Sequence, residues 1–174
     1  MPQRSGPVIF IGPSGAGKST LADELVRRYP QYQLIKSYTT RPKRDGIDSS
    51  HQFISEADFD IKLANNDFLG TQNVFGYRYG MPRPTDNAVA VFLLHAANVT
   101  TFRQAFKQVV VIEAYAPIDV LTERLRARGD QTRIDPEQLK AELDSGRELA
   151  DLVIDTSQPI DTCLQEITSF LDKN

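Results

Sequence analysis

The residues in this chain best suited to chemistry are Gly12-Pro13-Ser14-Gly15-Ala16-Gly17-Lys18-Ser19. They match the phosphate-binding loop pattern G-x-x-x-x-G-K-[ST]. Glycines at these positions let backbone N–H groups turn inward around phosphate oxygens. A helix starting at the lysine points its positive end at the same anion. Gly12, Ser14, Gly15, Ala16, Gly17, Lys18, Ser19 and Thr20 are therefore the expected nucleoside triphosphate-binding residues. Lys18 reaches the β- and γ-phosphates, and the Ser19 hydroxyl is the expected Mg²⁺ ligand. The implied donor is ATP with Mg²⁺.

Such a loop works only between a strand and a helix, and the flanking sequence supplies both. Val8-Ile9-Phe10-Ile11 reads as a buried strand, and 18–28 as a helix with Leu21, Ala22, Leu25 and Val26 on one face. Further strands are expected at 33–37, 88–94, 109–114 and 152–155. Helices are expected at 118–128, behind Pro117, and across the apolar stripe Ile160, Cys163, Leu164, Ile167, Phe170 and Leu171. Continuous apolar strands alternating with helices predict a parallel sheet covered on both faces, with ligands beyond the carboxyl ends of its strands. Two polar stretches break this rhythm. Residues 38–87 read as an inserted subdomain with a small helix at 55–65 that turns Phe59, Leu63 and Ile61 inward. Residues 129–136 read as a lid. The core is then 1–37 and 88–174 of a single domain.

Composition narrows the class. The chain has 174 residues and a net charge of −3, with no global bias toward nucleic acid or membrane. No apolar run is long enough to span a bilayer. The single cysteine, Cys163, excludes an intrachain disulfide and suits a reducing compartment. The polar start shows no signal-peptide pattern. These features predict a cytoplasmic protein, a monomer or homodimer, acting on a small molecule.

Tyr38-Thr39-Thr40-Arg41-Pro42, Arg44, Gly46 and Phe53-Ile54-Ser55, followed by Phe59, resemble the acceptor-binding segment of guanylate kinases. Asn65-Asn66-Asp67-Phe68-Leu69, Gly76-Tyr77-Arg78-Tyr79-Gly80 and Thr122-Glu123-Arg124-Leu125-Arg126-Ala127-Arg128-Gly129 resemble that family's later landmarks, in the same order. The resemblance implies an α/β, three-layer P-loop kinase fold with an inserted acceptor-binding subdomain and a lid. It implies transfer of the γ-phosphoryl of ATP to a small phosphorylated acceptor such as GMP. Ser37, Arg41, Arg44 and Tyr79 match acceptor-binding positions, and His51 stands where the family has a tyrosine. Paired guanidiniums suit a dianionic phosphate. Arg124 and Arg128 match lid arginines that act on the transferring group with Lys18. Arg133 and Lys140 are further candidates.

The base-reading half departs from the family. Its guanine-reading glutamate is Gly70 here, its small hydroxyl residue is Met81, and its acidic pair falls within Leu93-Leu94-His95. The same segment lacks the strand-end aspartate that helps hold Mg²⁺ in many P-loop enzymes. A branch that phosphorylates ribose 1,5-bisphosphate also keeps the phosphate-handling motifs without the guanine readers, so a sugar-phosphate kinase is an alternative. A non-catalytic guanylate kinase-like binding module is another.

Overall fold

The computed structural model describes residues 6–43, 51–74, 76–84 and 87–174. In chain order the elements are β1 (Val8–Ile11), α1 (Lys18–Arg28), β2 (Tyr32–Leu34), β3 (Ser37–Thr39), β4 (His51–Phe53), α2 (Glu56–Ala64), β5 (Phe68–Val74), β6 (Tyr77–Pro82), β7 (Val89–Leu93), α3 (Val99–Ala105), β8 (Val110–Tyr115), α4 (Ile118–Ala127), α5 (Pro136–Leu149), β9 (Leu152–Asp155) and α6 (Ile160–Leu171). Arg44 and the neighbouring Gly46 lie outside the described residues.

Five parallel strands, ordered β2-β7-β1-β8-β9, form the core sheet. The alternation within β1 explains why helices cover both faces. Val8 and Phe10 pack into one buried cluster with Leu21, Leu25, Leu121, Leu125, Leu164 and Ile167, drawn from α1, α4 and α6. Ile9 and Ile11 pack into the other, with Val99 and Phe102 of α3. This is the expected three-layer α/β fold. α5 spans both clusters, through Leu139 and Leu143 on one side and Leu149 on the other.

The segment expected as one strand at 33–37 divides between two sheets. Tyr32–Leu34 joins the core, and Ser37–Thr39 begins a second sheet ordered β4-β3-β6-β5. In this second sheet β3 pairs parallel with β4 and antiparallel with β6. Its register sorts the side chains. Ser37 lies opposite His51, Thr39 opposite both Phe53 and Tyr79, and Gln72 opposite Tyr79, so these residues share one face. The other face is closed by α2, where the Phe59 ring lies 4.8 Å from that of Phe68 and the Arg78 guanidinium sits 4.1 Å over Phe59. Gly80 touches the Phe68 ring so closely that a Cβ there would approach to 2.6 Å. α2 is capped by Ser55, whose hydroxyl accepts from the Asp58 N–H. Only Phe59 of the three expected apolar residues is buried. Ile61 and Leu63 are exposed, because the single aromatic layer under a small sheet needs one anchor rather than a stripe.

Candidate active site

β1 ends at Ile11, and the chain turns at Gly12 with φ 135°, in contact with β8. A Cβ there would come within 2.4 Å of the Ala114 carbonyl oxygen, so only glycine fits. Gly15 (φ 83°) and Gly17 (φ 93°) complete a loop that L-residues with side chains would strain. Gly17 is the N-cap of α1 and makes no side-chain cap, which leaves the first N–H groups of the helix directed at the loop. Lys18 folds over its own loop and donates to the Gly12 carbonyl oxygen at 2.5 Å and to that of Pro13 at 3.0 Å. Burial pulls its pKa down to about 8, opposed by the Glu142 carboxylate and assisted by Arg133 and Arg128. The Glu142, Arg133 and Arg128 charges are thus near enough to act on the Lys18 ammonium. Ser19 and Thr20, at the start of α1, are exposed. A cradle of inward N–H groups, one ammonium and an exposed hydroxyl fits a triphosphate with Mg²⁺ held by Ser19.

Arginines reach the loop from beyond β8. Arg133 donates to the Ser14 hydroxyl at 2.8 Å. Arg124, on α4, donates to the Gly15 carbonyl oxygen at 3.2 Å and to the Thr156 hydroxyl and carbonyl oxygens at 2.9 and 2.7 Å. Thr156 was not singled out in the sequence. Its hydroxyl lies 2.7 Å from the Ala16 carbonyl oxygen and 3.0 Å from that of Tyr115, so it ties β8, the loop and Arg124 together. A lone threonine after a strand carries no signal of that role. Beside it opens a cleft of about 230 Å³ lined by Gly15, Gly17, Arg124, Arg128, Gln158 and Cys163 among others. Cys163 is buried and belongs to the core as expected, while its thiol also borders this cleft. Lys140 is not drawn in: it pairs with Asp144 on its own helix at 2.6 Å, both side chains being about two-thirds exposed.

Of the residues expected to bind the acceptor, Ser37, Arg41, His51 and Tyr79 gather on the open face of the second sheet. The Ser37 hydroxyl and His51 Nδ1 lie 2.6 Å apart, and the His51 and Tyr79 rings meet edge-on at 5.4 Å. The Arg41 guanidinium lies 5.4 Å over the Phe53 ring, next to them. This is a cationic and hydroxyl-bearing surface suited to an anion. At the other end of the face stand Gly70 and Met81, directly opposite one another. Leu69 and Met81 pack against the core cluster of Phe92 and Leu94. β7 then passes into His95, whose pKa is lowered by desolvation and by the Lys18 ammonium.

One buried group has no part in this arrangement. Glu113 of β8 has no solvent exposure, and neither carboxylate oxygen has a hydrogen-bond partner among the described residues. Its nearest cation, Arg147, is 3.8 Å away and half exposed. Desolvation raises its pKa to about 7. A single glutamate inside the apolar run 109–114 was the only sign of it in the sequence.

A parallel sheet with a phosphate loop after its first strand, arginines bonded to that loop and a second sheet packed beside the end of β7 define a P-loop phosphotransferase. Comparison with known proteins narrows the class. The guanylate kinase family model matches residues 4–174. The guanylate kinase of Chlorobium luteolum is 33% identical over 150 residues, which cover 80% of this chain and 75% of that protein. That of Carboxydothermus hydrogenoformans is 36% identical over 131 residues, covering 70% and 64%. A crystal structure of guanylate kinase from Anaplasma phagocytophilum superposes with a TM-score of 0.74 at 23% identity, over 99% of this chain and 88% of that one, which supports the shared fold. The chain belongs to the guanylate kinase family. It is accordingly an ATP-dependent kinase of the nucleoside monophosphate kinase class.

Proposed function

We propose that this protein transfers the γ-phosphoryl group of ATP to the phosphate of GMP. The observation that carries the reading is the pairing of a complete phosphate loop with a separate anion-binding face, made of Ser37, Arg41, His51 and Tyr79, on a sheet that packs beside the end of β7. One anion site serves the donor and the other an acceptor that already bears a phosphate. Ribose bisphosphate and non-catalytic binding are less well supported, because the family members matched are guanylate kinases and the loop keeps both Lys18 and Ser19.

In this reading the loop N–H groups and Lys18 hold the β- and γ-phosphates. Mg²⁺, held by Ser19 and ATP oxygens, supplies charge neutralisation when bound. Arg41, His51 and Tyr79 orient the acceptor phosphate. Residues 129–136 act as the lid, and its closure excludes water that would hydrolyse ATP. Arg133 and Arg128 then meet the transferring group while Arg124 stays braced on Thr156. An ionised phosphate oxygen is already a nucleophile, so positioning and charge compensation suffice without a general base. The test is an ADP-release assay with ATP and Mg²⁺ against GMP, AMP, CMP, UMP, dTMP and ribose 1,5-bisphosphate, with Lys18→Ala as the blank. GMP-dependent release supports the reading. Release only with the sugar phosphate overturns it.

A further inference from the structure

The sheet face that holds the acceptor phosphate continues into a feature outside the family's motifs. Gln72 lies opposite Tyr79, one strand spacing (about 5 Å) across the sheet, and two residues beyond Gly70 on the same face. Its side-chain oxygen accepts from the Asn98 amide at 3.2 Å. Asn98 belongs to the short turn that follows β7 in the core. The amide pair therefore bridges the second sheet and the core where the acceptor's far end must lie. Beside it, Gly70 leaves open space, since an added Cβ there would meet nothing within 4 Å. Met81 faces Gly70, and Met81 and Leu69 pack on the core cluster, which gives the slot an apolar wall.

Resting on the kinase reading above, we propose that Gln72 and Asn98 read the acceptor's base, and that they select 6-oxopurine nucleotides rather than guanine alone. With the Gln72 oxygen and the Asn98 amide nitrogen engaged together, the pair presents the Gln72 NH₂ as donor and the Asn98 carbonyl as acceptor. That edge complements the O6 acceptor and N1–H donor of a 6-oxopurine. Adenine offers the reverse order, a 6-amino donor and an N1 acceptor, and fits only if both amides turn over. The purine ring packs against the Met81 wall. The exocyclic 2-amino group, which separates guanine from hypoxanthine, projects toward Gly70, and glycine has no side chain to receive it. A site that reads one edge and leaves the 2-amino group unread discriminates against AMP and barely between GMP and IMP.

The experiment measures kcat/KM for GMP, IMP and AMP, and KM for ATP, in the wild type, Gln72→Leu, Asn98→Leu and Gln72→Glu. Gln72 is exposed and Asn98 partly buried, and a thermal melt checks that each variant folds. The wild type is expected to use IMP within about tenfold of GMP, and AMP more poorly than either. Gln72→Leu and Asn98→Leu should each lower kcat/KM for GMP and IMP about tenfold through KM, narrowing the gap to AMP with KM for ATP unchanged. Gln72→Glu, which can only accept, would set a carboxylate against O6 and should lower GMP and IMP alike relative to AMP, whose 6-amino group can donate to it. A wild-type preference for GMP over IMP beyond a hundredfold would overturn the proposal. So would unchanged ratios in both leucine variants, because a purely structural latch would alter all three substrates alike. Absence of turnover with all three nucleotides would instead remove the kinase reading, and this inference with it.

Discussion

Lys18 meets two demands at once. Without phosphate it satisfies its ammonium on the carbonyls of its own loop, and its burial there keeps its pKa near 8. In the proposed complex an arriving triphosphate replaces those carbonyls with full negative charge, so binding would favour the ammonium form and take up protons above pH 8. Lys18→Ala should lower kcat by at least about a hundredfold, because charge stabilisation of this kind typically contributes several kcal/mol, while the melting temperature stays close to wild type. Arg41→Ala should raise KM for the acceptor roughly tenfold or more, the scale of a lost charge-assisted contact, and leave KM for ATP alone. A rise in KM for ATP instead would separate Arg41 from the acceptor site. Glu113 gives a third prediction. Its folded pKa near 7 lies above its ordinary 4.5, so between those values the native state holds a proton that the unfolded chain releases. Glu113 therefore costs nothing below pH 4.5, and the stability it removes grows as pH rises to about 7. Glu113→Gln should raise the denaturant midpoint at pH 8 and change it little at pH 4.5. An equal effect at both would contradict the burial argument.

At the scale of elements, the seating of α5 on β8 depends on Gly146. A Cβ there would approach Glu113 Oε1 to 2.8 Å, and that carboxylate is enclosed on all sides. Gly146→Ala should destabilise by about 1–3 kcal/mol, the usual cost of overpacking. The same change in a Glu113→Ala background should cost far less, which a double-mutant cycle by denaturation would read directly. The loop, α1 with its ends at 18 and 28, and β9 were legible from sequence, since each is a strong apolar pattern next to Gly or Pro punctuation. The second sheet was not. β3 and β4 are three residues each, too short to show alternation, and they are joined through polar chain. α3 escaped because its apolar anchors, Val99 and Phe102, are only two residues in a short helix. The exposure of Ile61 and Leu63 reverses the expectation for α2, since periodicity does not reveal how wide a surface the helix has to cover.

At the scale of the molecule, the two sheets divide the work. In the proposed reading the core sheet supplies the donor loop and the smaller sheet the acceptor face, and the two are held together through Met81, Leu69 and the Gln72–Asn98 bridge. Sequence motifs singled out Lys18, Ser37, Arg41, His51 and Tyr79, and the structure gathers the last four on one sheet face, because motif residues are placed by short, regular segments. At the proposed base end, the sequence offered Gln72 only as one of three neighbouring polar residues with Thr71 and Asn73, and gave no sign of Asn98, because a contact between residues 72 and 98 leaves no pattern in one sequence. No helix among the described residues is long and apolar enough to cross a membrane. The central claim is phosphoryl transfer onto a phosphate, and the fate of the label from γ-³²P-ATP incubated with GMP and Mg²⁺ tests it most directly. Label recovered as the β-phosphate of GDP is the result expected. Label released only as inorganic phosphate, with GMP unchanged, would contradict it.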